Sequence, residues 1–85
     1  MSEIPMSPTP YKPHLPIMSG AAVMRVFAKN GFTVVGATEL HWVLRCKYAP
    51  QRQLIIIHDK ALAQGCLRRL IHHSGLSEKE FLFLL

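Results

Sequence analysis

Three runs rich in β-branched and aromatic residues follow one another with very little chain between them. "FTVVGA" (Phe32–Ala37), "LHWVLRC" (Leu40–Cys46) and "QLIIIH" (Gln53–His58) each read as a strand. The joins are Thr38-Glu39 and "KYAPQR", Lys47–Arg52. A parallel pair needs a crossover of about a dozen residues or more, which neither join provides. The three strands are therefore expected to form an antiparallel meander. Such a sheet must bury one face, and only the flanking segments can cover it.

Both flanks read as helix. "SGAAVMRVFAKNGF" opens with Ser19, a good N-cap, and closes with Asn30-Gly31, a helix-ending pair. Val23, Val26 and Phe27 make one apolar stripe at i, i+3 and i+4. After the strands, "DKALAQG" leads into the helix "CLRRLIHHSG", ended by Gly75. "SEKE" at Ser77–Glu80 is a capping box that starts a last short helix, "EFLFLL". The expected fold is α+β, in the order α-β-β-β-α with a short extra C-terminal helix. Its three-stranded antiparallel sheet carries the helices on one face. Residues 1–17 hold five of the six prolines, which forbids helix and interrupts strand pairing. The chain thus divides into an extended proline-rich tail, 1–17, and a folded domain, 18–85, with Met18 as an alternative translation start.

Composition narrows the class. With 49% hydrophobic and 18% charged residues, the chain is too apolar for disorder. No apolar run reaches the roughly 18–20 residues of a membrane span, and the N-terminus lacks the basic start and apolar core of a secretory signal. Cys46 and Cys66 are too few for a disulfide framework and too isolated for a zinc site, so both are expected as reduced thiols of a cytoplasmic protein. The net charge is +5, and between Arg25 and His73 eight Lys and Arg residues face only Glu39 and Asp59. A small basic domain attracts polyanions, nucleic acid first.

Strand alternation then assigns faces. In the second strand Leu40, Trp42, Leu44 and Cys46 form the larger apolar set and should meet the helices, with Trp42 in the core. His41, Val43 and Arg45 are left on the outer face. The third strand is apolar on both faces, so it is either central or covered on its outer face by a partner.

From Met18 to Leu85 the chain resembles HicA, the small toxin of bacterial HicA–HicB toxin–antitoxin pairs, also called the YcfA-like family. The resemblance is carried by Ser19-Gly20, Gly31-Phe32, His58, "KALAQGCLR" (Lys60–Arg68) and "SGLSEKEF" (Ser74–Phe81). It implies a double-stranded-RNA-binding-domain-like fold and an mRNA interferase neutralised by a HicB-like antitoxin. The family's catalytic histidine, the first of its "GSHH" box, matches His41. Here that box reads Glu39-Leu40-His41-Trp42, and the lysine that follows the opening "SG" is replaced by Ala21. The departures favour the alternative of a catalytically attenuated or inactive RNA-binding or protein-interaction domain.

The residues themselves suit metal-independent RNA cleavage, with no cofactor. RNA brings its own nucleophile, the 2′-hydroxyl, and an imidazole can take or give a proton at neutral pH. Fixed cations stabilise the extra negative charge of the transition state. His41 is the catalytic candidate, and Arg45, on the same face, is expected to grip the same ribose-phosphate. Lys47, Arg52, Lys60, Arg68 and Arg69 are candidate RNA contacts. His58 reads as loop support, and His72-His73 as C-terminal helix residues near the negative end of the helix dipole.

Overall fold

The computed structural model describes residues 15–85. The proline-rich stretch 1–14 lies outside the described residues. Six elements follow in order: α1 (Gly20–Ala28), β1 (Phe32–Ala37), β2 (His41–Cys46), β3 (Gln53–Ile57), α2 (Gln64–Ser74) and α3 (Glu78–Phe83). The strands form one antiparallel sheet in the order β1-β2-β3, so β2 is central and β3 is an edge. The fold is α+β with an open three-stranded sheet, as the strand joins require.

The helix ends are built from the residues that mark them in the sequence. Ser19 Oγ accepts from the Ala22 amide at 3.1 Å and caps α1. Past its end Gly31 takes φ +94°, a backbone conformation open mainly to glycine. Gly75 ends α2 with φ +89°. In α3 the Ser77 hydroxyl accepts from Glu80 N at 3.0 Å, and the Glu80 carboxylate accepts from Ser77 N at 2.8 Å. That reciprocal bond holds the Glu80 carboxyl below the ordinary glutamate pKa, first through the Ser77 backbone amide and then through its hydroxyl.

One face of the sheet is sealed. Phe32, Leu44, Leu54 and Ile56 point inward and meet Val23 and Phe27 of α1, Leu67 and Ile71 of α2, and Phe81 of α3. Phe27 sits at the centre, its ring 5.4 Å from Phe32 in an edge-on contact and 5.5 Å from Phe81. Val26 is only partly buried, at the margin of the stripe. Leu15, three residues before Met18, belongs to the same core at 5% exposure.

Two local features are absent from the strand pattern alone. The β1–β2 register shifts between Val34 and Gly36, leaving Val35 as a bulge that breaks the alternation of β1. At the start of α1, Gly20 N donates to Asp59 O at 2.8 Å, and a Cβ on Gly20 would overlap the Ile57 carbonyl oxygen. Only glycine lets α1 approach the end of β3 that closely.

Candidate functional site: the open face of the sheet

The face opposite the helices carries the candidate residues of β2. His41, Val43 and Arg45 stand on it, paired across to Ile57, Ile55 and Gln53 of β3. Ile55 is 60% and Ile57 45% exposed, so the third strand is apolar on both faces and uncovered on one. Among the described residues β3 is an edge, with no further strand beside it.

His41 is half-buried at the first position of β2. Its amide donates to Thr38 Oγ1 at 3.0 Å, and its carbonyl accepts from Thr38 N at 2.8 Å, closing the β1–β2 turn. The turn fixes the backbone and leaves the imidazole free of hydrogen bonds among the described residues. Glu39 and Leu40, which precede the histidine, are exposed in that turn, Leu40 by 67%.

The cations divide into separate groups. Arg45 shares the face of His41, but four residues of strand place it about 13 Å away, with Val43 between. The two side chains are therefore not adjacent on that face. With its amide oriented to satisfy both groups, Gln53 accepts from Arg45 Nη2 at 2.9 Å and Nε at 3.2 Å. This neutral partner orients the guanidinium and leaves its charge in place. Lys47 is exposed at the end of β2, beside Arg45.

Three other candidates lie on α2 or reach it. Arg52 Nη1 donates to His73 O at 3.1 Å, capping the C-terminal end of that helix. Arg68 lies 3.4 Å from the Glu78 carboxylate, an ion pair that ties α2 to α3. Arg69 is exposed and lines a groove of about 310 Å³ with Ile55, Ile57 and His73. Lys60 is exposed in the β3–α2 connection, three residues past the cross-strand partner of His41. It is thus the candidate cation at the same end of the sheet as His41.

His58 and Trp42 form a pair that strand propensity does not announce. Their rings stack with centroids 3.6 Å apart, tilted by 42°. Trp42 packs on the core, as its strand face implies, while its outer part supports the exposed His58. His58 N donates to Leu40 O at 2.9 Å, so the residue extends the β2–β3 pairing past Ile57. The clue in the sequence was parity: both residues fall on the inward side of adjacent strands.

Cys46 and Cys66 are free thiols. Among the described residues no cluster of His, Cys, Asp or Glu could hold a metal ion, and no helix is long and apolar enough to cross a membrane. The arrangement can offer an accessible proton acceptor at one end of the open sheet and oriented cations at the other. Comparisons with models of protein families, with curated proteins and with solved structures give no match.

Proposed function

We propose that the chain is the toxin of a type II toxin–antitoxin pair, a HicA-like mRNA interferase acting in the cytoplasm and held inactive by a HicB-like antitoxin. The observation that carries this reading is the placement of His41. Its imidazole lies on the solvent side of the sheet, at the strand position that matches the family histidine. In this mechanism His41 takes the proton from a ribose 2′-hydroxyl, which attacks the adjacent phosphorus to form a 2′,3′-cyclic phosphate as the P–O5′ bond breaks and the 5′-oxygen takes a proton from water. Lys60 and Arg45 neutralise phosphates on the two sides of that step. No resident metal is required, because the nucleophile belongs to the substrate.

The test is growth on induced expression together with RNA cleavage in vitro in the presence of a chelator. Growth arrest and cleavage that vanish in His41→Ala support the proposal. Wild-type protein that leaves RNA intact refutes catalysis. The second reading, a binding domain without cleavage, is favoured by the box Glu39-Leu40-His41-Trp42, which sets a carboxylate and an exposed leucine next to the histidine. Cleavage that appears only in Glu39→Gly would establish that reading and identify the residue responsible.

A further inference from the structure

The β2–β3 turn presents a side chain that neither the core nor the proposed chemistry uses. Tyr48 is 87% exposed, among the most exposed large side chains described. Its neighbours in sequence are cationic: Lys47 precedes it, and Arg45 and Arg52 flank the turn. No acid occurs anywhere between Glu39 and Asp59, and both of those lie at the opposite end of the sheet, beside His41.

The turn is also well fixed. Cys46 N donates to Arg52 O at 3.0 Å, Arg52 N to Ala49 O at 2.8 Å, and Lys47 N to Gly31 O at 2.8 Å. These bonds brace the residues on both sides of Tyr48 and tie the turn to the end of α1. The ring lies beside Gly31, where a Cβ would stand 3.6 Å from Tyr48 Cε2. Glycine is required there by its φ of +94°, and the Tyr48 ring packs within contact distance of it.

We propose that Tyr48 is a base-stacking platform for single-stranded RNA. Lys47 and Arg45 hold the phosphates on the strand that leads from it toward His41. An aromatic ring set among cations on a braced turn is the combination that binds single strands: cations follow the backbone, and the ring accepts the face of any base. The inference rests on the RNA reading given above and extends it. The enzyme would hold a base displaced along the strand from the scissile bond, on the far side of Val43 from the catalytic imidazole.

The experiment measures binding of His41→Ala protein, which cannot cleave on the proposed mechanism, to two labelled oligonucleotides of equal length. One carries pyrimidine bases, and the other is an abasic ribose-phosphate chain. In the His41→Ala background, Tyr48→Ala should weaken binding of the base-bearing strand about 5- to 100-fold, leaving the abasic strand and the salt slope unchanged. Tyr48→Phe should bind like the parent, since stacking does not need the hydroxyl. Lys47→Ala should weaken both strands alike and lower the salt slope by about 0.7. Equal binding of the base-bearing strand with and without Tyr48, in a protein that binds RNA, overturns the stacking role and leaves the RNA reading intact. A parent protein that binds neither strand at low salt overturns both. Because Tyr48 is exposed, an unchanged melting curve will confirm that each variant is folded.

Discussion

Replacing Gly20 by alanine should destabilise this protein strongly, against the direction that helix propensity predicts. Alanine in a helix is worth about 1 kcal/mol more than glycine, and the first helical position realises part of that. At Gly20 the added Cβ would overlap the Ile57 carbonyl oxygen, 3.0 Å from the carbonyl carbon and 3.4 Å from Asp59 N. The obstacle is backbone at the end of a strand, which cannot swing aside as a side chain would. Restoring ordinary contact moves α1 from β3 by roughly 1 Å, an overpacking cost of about 1–3 kcal/mol. The same shift stretches the bond from Gly20 N to Asp59 O, now 2.8 Å, at a further cost of about 1 kcal/mol. The net loss is about 2–4 kcal/mol, a large share of what a domain of this size possesses. Gly65 provides the control, since it also lies in the first turn of a helix but has nothing within 4 Å of its would-be Cβ. Gly65→Ala should be neutral or stabilising by up to about 1 kcal/mol. Urea unfolding followed by far-ultraviolet circular dichroism and by Trp42 fluorescence measures both. Gly20→Ala found within about 1 kcal/mol of wild type would refute the close approach of α1 to β3.

Three further outcomes are expected. Leu15→Ala should cost at least about 2 kcal/mol, as for other buried leucines; a chain started at Met18 should lose a similar amount in the same urea assay. The bond from Ser77 N to the Glu80 carboxylate should be fully present above the ordinary glutamate pKa and fail as pH falls through the depressed folded value. The protection of the Ser77 amide against exchange, relative to an unstructured amide at the same pH, should therefore fall on acidification, and Glu80→Gln should remove that dependence. Finally, His58→Ala should change the emission of Trp42, the sole tryptophan, because its ring loses a partner 3.6 Å away. Unchanged emission would argue against the stack.

Most of the architecture is legible in the sequence because it is local. Ser19, Gly75 and the Ser77–Glu80 pair end or begin helices through bonds spanning a few residues, so residue type at the right spacing announces them. The meander follows from the short joins, and strand parity places Leu44 inward and His41 outward. The Val35 bulge is different: it depends on how two strands settle into register, and β1 alone does not report it.

The candidate site was legible in part for the same reason. Parity puts His41 and Arg45 on one face, but a shared face is not a shared phosphate, and four residues of extended strand separate them by about 13 Å. Whether a cation remains free depends on partners distant in sequence. Arg52 reaches a carbonyl 21 residues away, and Arg68 pairs with a glutamate ten residues on. Residue order alone fixes the elements, their succession, the antiparallel sheet and the exposed side of β2, all consequences of steric periodicity and short connections. Which cations face solvent, why Gly20 must be glycine, and that Leu15 belongs to the core emerge from the folded arrangement. Those depend on contacts between segments remote along the chain, and residue spacing does not encode them.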